Sequence, residues 1–113
     1  MKLKIEAVKK VDDGMHVGVI KAIEYRTQPF SYTDVVIEME NGIQIKAGYP
    51  TMVTPESKLG QLLTLFGAVL DVGKEIEPEA VLIGKRCKFM TMNETTERGT
   101  FAKVVPGSLK HLA

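Results

Sequence analysis

Hydrophobic and polar residues alternate along much of the first half of the chain, which predicts β-strands. The run 15–27 is rich in Val, Ile and Tyr, and its alternation changes phase midway, which predicts a long first strand with a bulge or bend. The run 30–40 alternates throughout and predicts a second strand. The Asn-Gly pair at 41–42 predicts a type I′ hairpin turn into a third strand over 43–49.

From position 54 the apolar spacing changes to three or four residues, which predicts one amphipathic helix. We expect Thr54 to cap it, Pro55 to occupy its first turn, and the helix to end near 71–73. Alternation returns over 86–96 and again over 100–105, and each run predicts a strand.

The resulting element order is β-β-β-α-β-β, so the predicted fold class is mostly β with one helix. We expect the whole chain, 1–113, to form a single domain with its core over about 12–106 and a loose tail over 107–113. Five strands with a helix between the third and fourth is the order of the OB-fold, a partly open Greek-key barrel. Other small barrels and α+β rolls share this order and remain alternatives.

Composition excludes several functional classes. The chain has 113 residues, a net charge of +1 and one cysteine, so it lacks an intrachain disulfide and the large positive excess of a strong phosphate binder. No segment approaches about 18 uninterrupted apolar residues, and the chain begins without an apolar signal region, so we expect a cytoplasmic protein without membrane contact. Neither a metal-ligand spacing nor a convergent set of reactive groups is present. We therefore expect no catalytic residue, no metal, no cofactor and no enzymatic activity.

Three short motifs resemble those of a known group of proteins. They are GMHVG at 14–18, SKLGQLLTLFG at 57–67, and LIGKRC at 82–87, which leads into the fourth predicted strand. In these motifs and in element order, over roughly 14–106, the chain resembles the small single-stranded-DNA-binding-like OB proteins of phages and prophages. It is more distantly similar to the OB modules of archaeal replication protein A. The resemblance implies binding of single-stranded DNA, or RNA, in replication or recombination, with proteins of those processes as further partners.

Binding of single strands without sequence preference needs aromatic faces for the bases and cations for the phosphates. The candidate residues are Arg26, Phe30, Tyr32, Lys46, Lys85, Arg86 and Lys88. Phe30 and Tyr32 are two residues apart and would both point away from the core, unless a bulge near Thr33 turns them inward. The cations would hold phosphates, although the cluster at 85–88 is also typical of a solvated strand end.

The same features allow a second interpretation, a protein-interaction or assembly module on an OB-like barrel that binds no nucleic acid. The near-neutral charge favours it. Met90 and Met92 share a face with Lys88 and form either an apolar patch for a partner or part of the core. Long strand edges in an open barrel are compatible with a homo-oligomer.

Overall fold

The protein, seen in a computed structural model that describes residues 1–3 and 11–112, is built around one antiparallel sheet. In chain order its elements are β1 (Gly14–Arg26), β2 (Tyr32–Met39), β3 (Gln44–Pro50), α1 (Lys58–Leu65), α2 (Pro78–Leu82), β4 (Arg86–Thr96), β5 (Gly99–Val104) and β6 (Lys110–His111). The strand order in the sheet is β3-β2-β1-β4-β5, and β6 pairs with β4. Within the described residues, no helix is long and apolar enough to cross a membrane.

The long central strand β1 bends, as its change of phase predicts. Its pairing with β2 shifts by one residue between Ile20 and Ala22. Before the shift β1 pairs with β4 on one side, and after it β1 pairs with β2 and, among the described residues, with no other strand. A Cβ on Gly18 would lie 2.6 Å from Cγ2 of Ile37, so this position needs glycine for the close approach of β2.

The hairpin between β2 and β3 forms where predicted, but with a different turn. A type I′ turn needs positive φ at both central residues, whereas only Gly42 has it, at φ 81°. The Gly42 N–H donates to the Met39 carbonyl, and the Ile43 N–H donates to Oδ1 of Asn41. Because the Asn41 side chain bonds two residues ahead, a three-residue loop with one left-handed glycine replaces the two-residue turn.

The helix α1 is shorter than its apolar spacing predicts. The N-cap is Ser57 rather than Thr54, and the Ser57 hydroxyl accepts a hydrogen bond from the Gly60 N–H. Thr54 instead accepts from the Ser57 N–H in the preceding turn. The helix ends before Gly67, which has a φ of 97° that right-handed helix does not allow.

The core lies between the inner face of the sheet and α1, and the end of the chain is part of it. Leu109 is buried, and Lys110–His111 pairs with β4, so the prediction of a loose tail over 107–113 is wrong for these residues. The His111 ring lies 5.0 Å from that of Phe66. The burial of Leu109 and the contact between these two rings hold β6 in place, and no local periodicity in the sequence indicates either of them.

The sheet remains open, and the element order is longer than predicted. Strands β3 and β5 approach within 8 Å between Cα atoms, but they share no backbone pairing in the part of the chain that the structure describes. The single-turn α2, which begins at Pro78, precedes β4, and β6 follows β5. The observed order is therefore β-β-β-α-α-β-β-β.

Candidate functional site

Strand alternation places most of the predicted binding residues on the outer face of the sheet, the face turned away from α1. This face carries Arg26, Tyr32, Lys46, Arg86 and Lys88. Lys85 lies immediately before β4, and Phe30 lies in the connection between β1 and β2. The structure divides them into two groups, one on β1–β2–β3 and one on β4, about three strand spacings, or ~14 Å, from β3.

In the first group Arg26 is held by an internal carboxylate. Its guanidinium forms two hydrogen bonds with Asp34, at 2.6 and 3.0 Å, and lies 5.1 Å from the centre of the Tyr32 ring. These hydrogen bonds raise the pKa of Arg26 above its usual value. Asp34 is only 5% exposed. It also packs closely against β3, since a Cβ on Gly48 would lie 3.1 Å from Oδ1 of Asp34. The charge of Arg26 is therefore used within the fold.

Lys46 is also paired. Its Nζ lies 2.9 Å from Oε2 of Glu24, and this ion pair crosses the outer face of β2 between β3 and β1. Both side chains remain about half exposed. The β2–β3 half of the outer face is consequently close to neutral, and it offers a phosphate less positive charge than the sequence predicts.

The two predicted aromatic residues have different surroundings. β2 begins at Tyr32, so Phe30 lies in a loop rather than on the strand, and its side chain is 72% exposed. No bulge occurs at Thr33: this residue is fully buried, and its hydroxyl lies 2.9 Å from that of Thr51. Tyr32 therefore points outward beside Arg26, and Phe30 is exposed in the loop two residues before it.

The second group is a cluster of cations that we call the basic strip. It consists of Lys85, Arg86, Lys88 and Lys110. Lys110 on β6 lies directly opposite Lys88 on β4. None of the four forms an ion pair with a carboxylate of residues 1–3 or 11–112. Sequence reasoning missed Lys110 because it placed this residue in a loose tail.

Beyond the basic strip the outer face becomes apolar. Four large side chains, each between 43% and 60% exposed, form what we call the Met–Phe stripe: Met15, Met90, Met92 and Phe101. Met15 and Met90 are directly paired across β1 and β4, and Phe101 lies opposite Glu94 across β4 and β5. Met90 and Met92 are thus surface residues, not core. Alternation from the buried Val104 would have placed Phe101 outward too.

The reactive side chains do not converge on a catalytic centre in the described residues. Cys87 is fully buried, and its thiol lies 3.6 Å from the Gly18 carbonyl. Burial raises the pKa of this thiol to about 11, so it is not a nucleophile near neutral pH. The Nε2 of His16 donates a hydrogen bond to the Asp12 carbonyl oxygen at 2.7 Å. No group of three His, Cys, Asp or Glu within the described ranges is arranged to hold a metal ion.

Comparison of the sequence with protein-family models and with curated proteins finds no match.

Proposed function

We propose that this protein binds single-stranded nucleic acid, DNA in the first instance, on the outer face of its sheet. The observation that carries the proposal is the basic strip, whose four cations lie on β4, on β6 and at the residue before β4, without a carboxylate partner in the described residues. Free cations along a groove bind phosphates by releasing the counterions of the nucleic acid.

The architecture supports an OB-type barrel as the scaffold. The sheet order β3-β2-β1-β4-β5, the approach of β3 to β5, and a helix between β3 and β4 are features of that fold. Proteins with this fold bind oligonucleotides on the β2–β3 side and its flanking loops. Here the aromatic residues Phe30 and Tyr32 lie on that side, whereas the basic strip lies on the β4 side.

The proposed path of the single-stranded nucleic acid follows β1, which carries Arg26 of the first group of candidate residues and pairs with β4 of the second group. Along its outer face, Lys88 is opposite Val17 and Arg86 is opposite Val19, while Tyr32 is opposite Arg26 at its end. The 13 residues of β1 span about 40 Å at ~3.3 Å per residue. This length suits the roughly 4–16 nucleotides that one OB domain covers.

In this arrangement the basic strip holds phosphates, and bases stack on the exposed rings. Phe30 is the main stacking residue, because its side chain is 72% exposed and its ring is open to solvent. Tyr32 offers the ring face that Arg26 leaves free. Arg26 itself positions this ring.

The test is fluorescence anisotropy of labelled oligo-dT at about 50 and 200 mM salt. At about 0.7 counterion per phosphate, four cations predict a salt slope near −2.8 and a roughly 50-fold loss of affinity over this range. The variant Arg86→Ala/Lys88→Ala should halve the slope and reduce that loss to about sevenfold. Phe30→Ala should weaken binding by roughly 5- to 150-fold, which corresponds to the usual free energy of about 1–3 kcal/mol for stacking one base on an aromatic ring.

The matched control is Lys58→Ala/Lys74→Ala, which removes the same charge from the helix side of the protein. It should retain the salt slope of the wild type. Absence of binding at low salt, or an equal effect of the two double variants, would refute the proposed interface.

A protein-interaction module is the second candidate function, and the exposed Met–Phe stripe is the observation that favours it. This function predicts no binding to oligo-dT at low salt, together with capture of a protein partner that Met92→Glu abolishes.

A further inference from the structure

The hairpin of β4 and β5 projects beyond the rest of the sheet. β1 begins at Gly14, opposite Thr91, so within residues 11–112 the residues of β4 after Thr91 pair only with β5. The base of the hairpin is fixed: the Asn93 N–H donates to Oδ1 of Asp13 at 2.7 Å, and the Asn93 side chain donates to the Val11 carbonyl at 2.9 Å. Met92 and Phe101 are therefore presented on a projecting arm of defined orientation.

A groove of about 630 Å³ lies elsewhere on the molecule, between the segment 53–55 and the loop 69–76. Its apolar lining is Val53, Pro55, Val69, Leu70, Val72 and Ile76. Val69 is 80% and Val72 is 94% exposed. The volume is in the range of roughly 300–1,000 Å³ typical of pockets that enclose a ligand, so several side chains of a projecting arm can enter it.

The charges around the Met–Phe stripe and the groove are opposite. Four cations border the stripe against three carboxylates: Arg86, Lys88, Lys103 and Lys110 against Asp13, Glu40 and Glu94. The groove and its edge carry three carboxylates against one lysine: Asp71, Glu75 and Glu77 against Lys74. Each surface would repel a copy of itself and attract the other.

We propose that copies of this chain associate head to tail, with the Met–Phe stripe of one copy docked in the groove of the next. The stripe extends onto the projecting arm and is basic at its border, and the groove is acidic at its border, so the arm can enter the groove and the two surfaces are complementary in charge. Since the interface joins two different surfaces, each dimer keeps one free stripe and one free groove, and association continues into open chains. The proposal does not depend on nucleic-acid binding.

The test is sedimentation velocity of the full chain without nucleic acid over a hundredfold range of protein concentration. The wild type should form species larger than twice the 12.5 kDa monomer, growing with concentration. Met92→Glu and Val72→Glu should each remain monomeric, because one removes the stripe and the other removes the groove. Both positions are exposed, so circular dichroism should show an unchanged fold.

The decisive measurement is an equimolar mixture of the two variants. Met92→Glu retains a groove and Val72→Glu retains a stripe, so the mixture should form a dimer of one copy of each and nothing larger. Leu65→Glu, at an exposed apolar position outside both surfaces, is the control and should assemble like the wild type. A monomeric wild type, a wild type that stops at a closed dimer, or a mixture that stays monomeric would each overturn the proposal.

Discussion

Glu24 neutralises Lys46 across the outer face of β2, so Glu24→Gln should release one lysine beside the proposed path of the nucleic acid. The Nζ–Oε2 distance of 2.9 Å corresponds to a gross attraction of about 1.4 kcal/mol in a water-like dielectric. The side chains are 56% and 50% exposed, so the net value of the pair is at most about 1 kcal/mol. A phosphate that contacts Lys46 must first overcome this attraction.

The expected result is therefore tighter binding of oligo-dT, by up to about fivefold at low salt, which is the equivalent of about 1 kcal/mol. One added phosphate contact should also steepen the salt slope by about 0.7. The free energy of unfolding should fall by no more than about 1 kcal/mol, because the exposed pair contributes no more than that.

Anisotropy titrations of Glu24→Gln at several salt concentrations measure both quantities. Glu56→Gln makes the same change in net charge in the turn before α1 and should bind like the wild type. In a Lys46→Ala background, Glu24→Gln should have no effect if it acts by releasing this lysine. If Glu24→Gln binds like the wild type at every salt concentration, the strand does not pass Lys46 and the reasoning is refuted.

Three further predictions concern stability. Gly60→Ala should lower the free energy of unfolding by about 1–3 kcal/mol, because the new Cβ would lie 1.8 Å from the Thr54 carbonyl oxygen. This clash outweighs the gain of ~1 kcal/mol in helix propensity. An unchanged midpoint of urea unfolding would contradict this packing. Leu109→Ala should lower the free energy of unfolding by about 2–5 kcal/mol because Leu109 is buried, and the exposed Lys110→Ala should lower it by less than about 0.5 kcal/mol. If residues 107–113 formed a loose tail, the two variants would have the same thermal melting temperature. Because burial raises the folded-state pKa of Cys87 from 9.0 to about 11, the unfolded chain loses this proton first. The contribution of the Cys87 thiol to the free energy of unfolding is thus fully present below pH 9 and is lost as the pH rises toward 11. Urea titrations should show that the wild type loses stability more steeply with rising alkaline pH than Cys87→Ala does.

Much of the sheet could be predicted from the sequence because strand alternation is a local property. β4 has the predicted bounds, and the change of phase in β1 corresponds to the observed bulge. Turn and cap geometry was less predictable, since several local hydrogen bonds compete. The Asn41 side chain changes the turn of the hairpin, and Ser57 replaces Thr54 as the cap of α1.

The candidate site shows the same division. Alternation correctly placed Tyr32 and the exposed cations of β4 on the outer face. It could not show that Arg26 and Lys46 are paired, because their partners Asp34 and Glu24 lie on other strands of the sheet, 8 and 22 residues away in the chain. Pairing across strands depends on register, and register follows from the bulge in β1 and from the turns.

Side-chain periodicity and turn residues are local, so they were sufficient to assign the strands and the apolar face of each strand. The charges that remain free in the described residues could be assigned only from the three-dimensional arrangement of the strands. This arrangement brought Lys110 beside Lys88 through a two-residue strand too short to show any periodicity, and it separated the Met–Phe stripe from the acidic groove. The physical reason is that periodicity records the surroundings of one strand, whereas a charge is neutralised, or left free, by residues distant in the chain.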